Sequence, residues 1–222
     1  MVNSDEGNTT FRDHSSIAEQ LLRVLEGYAD EFSNRGVPAH LTHTAREGKY
    51  LKGKHIGQEP ERFVEEQLIW PALSVFDYTV WTQPYGYPKW DKSRPDFEVR
   101  NMDSGVDCAV IGEIKTPNKF EYAEQDIINY LESDLGEPTI GFATDGVRWQ
   151  VRARPEKSDE ITVISDVNLH DVYRLLPNRH EEQESYDKHR TRERMVEAGV
   201  EELHRHTIEE RVSRIFSSDS VT

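Results

Sequence analysis

The chain has 222 residues, 35% of them apolar and 31% charged, with a formal net charge of −15, which fits one domain with appendages and a modest core under a large solvated surface. Its one cysteine, Cys108, excludes a disulfide framework and a cysteine-rich zinc site and reads as a small core residue. No apolar run approaches the ~20 residues of a membrane helix, and residues 1–6 do not read as a signal peptide, so a soluble, cytoplasmic protein with no membrane partner is expected.

Residues 1–14 are polar and are expected to form a disordered tail. From Ser16 onward Ile17, Leu21, Leu22, Leu25, Tyr28 and Phe32 follow helical spacing, with Ser15 or Ser16 as cap and Gly36 as stop. Residues 37–58 read as a loop with one short helix. Lys49, Lys52, Lys54 and His55, around Tyr50, form a basic cluster that is either a phosphate contact or a solvated loop. A second helix opens near Pro60, a favourable first position, and carries Phe63, Val64, Leu68, Ile69, Leu73 and Phe76 on its apolar side. Residues 77–83 read as a strand. The aromatic, Pro/Gly-rich loop 84–90 either stacks on bases or covers the edge of a small core.

Residues 94–115 organise the rest. Two β-rich runs, Arg94-Pro95-Asp96-Phe97-Glu98-Val99 and Cys108-Ala109-Val110-Ile111-Gly112-Glu113-Ile114-Lys115, flank a turn-forming stretch and predict a hairpin or close strand pair. Alternation puts Glu113 and Lys115 on one face with Ile114 on the other, and pairing brings Asp96 alongside. Two adjacent carboxylates repel unless a cation lies between them. Hard oxygen ligands that leave room for waters suit Mg²⁺ or Mn²⁺. Such an ion lowers the pKa of a coordinated water and polarises a phosphoryl oxygen, and a neighbouring lysine orients the water or offsets developing charge. Asp96, Glu113 and Lys115 are therefore candidates for metal-assisted phosphodiester hydrolysis, with Asp96 and Glu113 as metal ligands and the Ile114 carbonyl as a further one.

Pro95-Asp96 and Glu113-Ile114-Lys115 resemble the signature of the PD-(D/E)xK nuclease superfamily. Glu61-Arg62-Phe63-Val64-Glu65-Glu66-Gln67-Leu68-Ile69-Trp70-Pro71-Ala72-Leu73 is similar to the opening helix of the N-terminal nuclease domain of type I restriction enzyme R subunits. That resemblance implies a restriction-endonuclease-like fold, DNA as partner, Mg²⁺ (or Mn²⁺) as cofactor, and Glu61 as a third acidic group at the metal, with Glu65 and Glu66 as fallbacks. Glu61 equally suits the positive end of the helix dipole. The family also carries a Gln-x-x-x-Tyr motif in the helix after the catalytic lysine. Here residues 120–135 predict that helix, closed by Gly136, and Gln125 stands five positions before Tyr130 instead of four. Gln125 is the candidate site-lining residue, with core packing expected for Tyr130.

Residues 138–145 predict a strand, Asp145-Gly146 a hairpin turn, and residues 147–152 the returning strand with Trp149. This pattern is again similar to the same nuclease domain. Residues 160–167 predict a further strand and 169–176 a short helix ending at Pro177. Residues 179–195 are charged nearly all round. Val196, Val200, Leu203, Ile208, Val212 and Ile215 then give an imperfect helical stripe that either docks on the core or mediates a homodimer or larger complex. His204-Arg205-His206 reads as solvated surface.

The division expected is a tail (1–14), an N-terminal helix and loop (15–57), a nuclease core (58–168) and a C-terminal helical extension (169–222). The fold class expected is α/β, with a central mixed β-sheet flanked by helices. No phosphate loop is present, so a stand-alone nuclease or a component acting with others is expected rather than a complete restriction motor. The net charge is unfavourable for a polyanionic substrate. Arginines outnumber lysines two to one, however, and acids are spread along the whole chain, as in halophilic, haloarchaeal-type proteins. At 1 M salt the Debye length is about 3 Å, so binding would rest on local contacts and bridging metal. The function expected is a Mg²⁺-dependent endonuclease of restriction or DNA-processing type. The alternatives are a non-catalytic nuclease-fold interaction module and, with less support from the even spread of acids, a DNA-mimicking inhibitor.

Overall fold

The computed structural model describes residues 16–37, 51–84, 94–103, 105, 107–133, 137–156, 158, 160–177 and 186–218. The expected tail, Lys49, Tyr50, residues 85–90 of the aromatic loop and Gly136 lie outside the described residues.

The N-terminal apolar stripe forms helix α1, Ile17–Asn34. The Ser16 hydroxyl accepts the Glu19 N–H, and Leu21, Leu25, Tyr28 and Phe32 are buried. A single turn, α2 (Gly53–Ile56), follows. The second helix differs from expectation in one respect. It runs as α3, Pro60–Val64, passes through a π turn at Glu65–Ile69, and continues as α4, Trp70–Val75. The reason is Pro71, which lacks an N–H and whose ring crowds the carbonyl four residues back; widening the turn before it relieves the clash. In that turn the Trp70 N–H reaches the Glu65 carbonyl.

Six strands form one sheet in the order β1 (Val80–Thr82), β2 (Phe97–Val99), β3 (Ala109–Ile114), β4 (Thr139–Thr144), β5 (Arg148–Arg154), β6 (Thr162–Asn168). Among the described strands only β3 and β4 pair in parallel. A parallel pair needs a crossover, and helix α5, Phe120–Glu132, supplies it. The class is therefore α/β with a mixed sheet flanked by helices.

The sheet sorts its side chains by alternation. Phe97, Val110, Ile114, Phe142, Trp149 and Val151 face α1, α3 and α4 in the larger core. Ile111 and Ala143 face α5 in a smaller one with Ile127, Tyr130 and Leu131. The chain continues into α6 (His170–Leu175), α7 (Lys188–Glu197), a 3₁₀ turn at Val200–Leu203, and α8 (Arg205–Ser218). Val200, Leu203, Ile208 and Val212 are buried in the same core that holds α1 and the sheet. The Tyr78 hydroxyl donates to the Leu203 carbonyl at 3.0 Å, and Arg205 pairs with Asp77 at 2.7 Å. The C-terminal stripe thus docks on its own chain. Val196 is exposed, and Met195 takes the buried position beside it, because the stripe breaks at Gly199, whose φ of 80° ends α7 and starts the 3₁₀ turn.

Among the described residues no helix is long and apolar enough to cross a membrane.

Candidate active site

The β2–β3 ladder places Asp96. Phe97 pairs with Gly112 and Glu98 with Ile111, so one further step of the register sets Asp96 opposite Glu113. The Asp96 N–H donates to the Gly112 carbonyl at 2.9 Å. Its Oδ2 accepts the Ile114 N–H at 2.7 Å, so the side chain itself extends the ladder. Gly112 fixes the pair, because a Cβ there would lie 2.0 Å from Phe97 Cζ; the ring covers the glycine and locks the register next to both carboxylates. Phe97 is in turn wedged edge-on by Trp70 at 5.6 Å between ring centroids.

Directly opposed residues of an antiparallel pair share a face. The Asp96 and Glu113 carboxyl groups accordingly lie close enough to shift each other's titration. Lys115, two residues beyond Glu113, shares that face, and its Nζ donates to Glu113 Oε2 at 3.0 Å. The same Nζ lies 3.2 Å from Asp126 Oδ2 and 3.8 Å from Glu61 Oε1. Ile114 is buried on the opposite face and gives its N–H to Asp96, so its backbone carbonyl is the atom left to serve as a ligand.

These groups line a cavity of about 410 Å³ together with Arg94, Asn129, Tyr130 and Ser133. Asp126, Asn129 and Tyr130 stand at i, i+3 and i+4 of α5 and form one helical face, which the capping residue Ser133 extends at i+7. Gln125 is turned about 100° from Asp126 and does not line this cavity. It is exposed and donates to Asn129 Oδ1 at 3.0 Å. Gln125 is thus not the site-lining residue, while Tyr130, packed in the smaller core as expected, also lines the cavity. Tyr130 is 3% exposed, and its hydroxyl donates to the Glu113 carboxylate. The one-residue shift in spacing brings the tyrosine, not the glutamine, to the carboxylates.

The electrostatics are those of crowded acids. Burial, and then the neighbouring Asp96 charge, push Glu113 up to about 8. Burial raises Asp96 as well, against the lowering effect of the Ile114 N–H and the Lys115 ammonium. Burial raises Glu61, while Lys115 lowers it. Burial alone would lower Lys115, but Glu113, Asp96 and Glu61 raise it on balance, so the ammonium is held charged. On the far side of Asp96 a second recess of about 570 Å³ is walled by Glu61, Glu65, Glu66, Trp70 and Gln83. There burial, then Asp96 and Glu61, push Glu65 up to about 7. Glu66 is turned to the surface and pairs with Arg62 at 2.7 Å.

The donor set fits a hard divalent ion. Two abutting carboxylates that each resist ionisation are stabilised by a cation, and Mg²⁺ commonly takes one or two carboxylates and keeps waters. Among the described residues no three Asp, Glu, His or Cys side chains form a ready-made coordination group, so the fit rests on Asp96 and Glu113, with Glu61 at the cavity edge. Comparison with protein-family models, with curated proteins and with solved structures gives no match.

Sequence reasoning passed over Asp126, and it ranked Glu65 only as a fallback. Asp126 carries a legible signal, the polar i, i+3, i+7 stripe with Asn129 and Ser133. Glu65 does not, because its direction depends on the π turn.

Proposed function

We propose that the chain is a Mg²⁺- or Mn²⁺-dependent nuclease that hydrolyses DNA phosphodiester bonds on a restriction-endonuclease-like fold. The observation that carries this reading is the contact of Asp96 and Glu113 with Lys115 Nζ 3.0 Å from Glu113, all opening into one polar cavity. Sequence order supports it. A helix carrying Glu61, three strands, a helix and further strands follow one another as in the nuclease domains that Pro95-Asp96 and Glu113-Ile114-Lys115 resemble.

A bound divalent ion supplies a more acidic water and offsets charge on the phosphoryl oxygens. Asp96 and Glu113 would hold it, with the Ile114 carbonyl and Glu61 as further oxygen donors. Lys115, kept charged by its acidic neighbours, orients the attacking water and stabilises charge that develops on the phosphate. Tyr130 fixes the Glu113 carboxylate from the helix side. Because burial and the Asp96 charge push Glu113 up to about 8, a bound ion would favour its ionised form and release a proton.

The test is cleavage of plasmid, linear duplex and single-stranded DNA in multi-molar KCl with Mg²⁺ or Mn²⁺, comparing wild type with Lys115→Ala and Asp96→Ala. Metal-dependent cleavage absent from both variants is expected. Absence of cleavage by the folded wild type, across metals and salts, would instead favour a non-catalytic interaction module.

A further inference from the structure

Among the described residues four large apolar side chains are exposed, and two of them are aromatic, Trp81 at 46% and Tyr122 at 62%. Neither lines the cavity itself, but Trp81 lies on the sheet face that carries Asp96 and Glu113, and Tyr122 on the helical face that carries Asp126. Trp81 stands on β1 opposite Glu98, and Glu98 is two residues, about 7 Å, along β2 from Asp96. Phe97 and Val99 are buried on the other face, so Trp81, Glu98 and Arg100 share the face of Asp96 and Glu113. The Arg100 guanidinium lies 4.3 Å from the Trp81 ring centroid and pairs with Glu98 at 2.9 Å. These contacts hold the ring in place while leaving it open to solvent. Tyr122 stands one turn before Asp126 on α5, so it continues the helical face that lines the cavity.

Aromatic faces beside a phosphodiester site can take bases only if those bases are unstacked. A duplex presents its base edges in the grooves and keeps its base faces covered. Stacking on a neutral ring is also tolerant of a net charge of −15, where attraction through phosphates alone is not. We propose that Trp81 and Tyr122 are stacking platforms for bases on either side of the site, and that the strand taken is single-stranded or frayed nucleic acid rather than intact duplex. This rests on the nuclease reading above and names its substrate class.

Fluorescence anisotropy in EDTA separates the two, because binding is read without cleavage. The probes are a labelled mixed-sequence DNA oligonucleotide and the same oligonucleotide annealed to its complement, titrated with the full chain in multi-molar KCl. The single strand should bind about tenfold or more tighter than the duplex, and Trp81→Ala and Tyr122→Ala should each weaken it by about five- to a hundredfold. Trp81→Phe, which keeps a ring, should retain most of the affinity. Tyr122→Ala lies at an exposed helical position and keeps the test decisive if Trp81→Ala does not fold. Single-strand binding unchanged in both alanine variants, equal binding of the duplex, or no binding of either probe overturns the platforms; metal-dependent cleavage by the same protein would leave the nuclease reading standing. Ring-dependent single-strand binding without cleavage in any metal supports the platforms and removes the nuclease.

Discussion

Two buried carboxylates in this chain have opposite surroundings. Asp145, 3% exposed, turns its oxygens onto backbone N–H groups of Asn118, Val147 and Arg148 at 2.8–2.9 Å. Burial raises its pKa, and those amides pull it back. Glu113, 4% exposed, faces another carboxyl group, and burial and that neighbour act in the same direction. One carboxylate closes the turn between β4 and β5; the other meets Asp96 and the Lys115 ammonium at the cavity. Both side chains end in a carboxyl group and are almost equally buried, so the difference lies in what each oxygen meets.

The largest effect expected on this contrast is on chemistry. Lys115→Ala should lower DNA cleavage by about 10²- to 10⁴-fold with little change in Tm, measured by cleavage kinetics and circular dichroism on one preparation. Asp145→Ala should do the reverse. It leaves several backbone N–H groups without an acceptor and should cost about 3 kcal/mol of stability, read by denaturant unfolding.

The third expectation concerns pH. At the low end folded and unfolded chains both hold the Glu113 proton. Between the ordinary 4.5 and about 8 only the folded chain does, so unfolding releases a proton and stability falls as pH rises, levelling off above about 8. Asp96, Glu61 and Glu65 are raised too and act with the same sign. The loss should be a few kcal/mol, with about 5 kcal/mol as the ceiling for Glu113 alone. It should shrink in Glu113→Gln and be offset by millimolar Mg²⁺, as seen in Tm measured at pH 5 and pH 8. The smallest effects come from α5. Tyr130→Phe should reduce cleavage several-fold, by about 1 kcal/mol for one lost hydrogen bond, whereas Gln125→Ala should leave it within about twofold, consistent with an exposed site.

The sheet, the helix positions and the Asp96–Glu113–Lys115 contact were legible because alternation and 3.6-residue spacing are local properties. Pro95 and the glycine opposite Phe97 set the hairpin register without long-range information. The π turn was not legible. Pro71 was visible in the sequence, but whether a proline kinks, breaks or widens a helix is decided by what packs around it, here Phe97 against Trp70. The same turn governs where Glu65 points. On α5 a motif pointed to Gln125, and the angular arithmetic of the helix, anchored by buried Ile127 and Leu131, brought Asp126 and Tyr130 to the site instead.

The central claim is that Asp96 and Glu113 are paired to receive a divalent ion. Isothermal titration calorimetry of Mn²⁺ in multi-molar KCl near pH 7, repeated in buffers of different ionisation enthalpy, tests it directly. The account predicts binding coupled to proton release, weakened about tenfold or more in Asp96→Asn and in Glu113→Gln and unchanged in a folded Asp145→Asn control. Absence of binding by wild type, or binding that survives both substitutions at the pair, would contradict it.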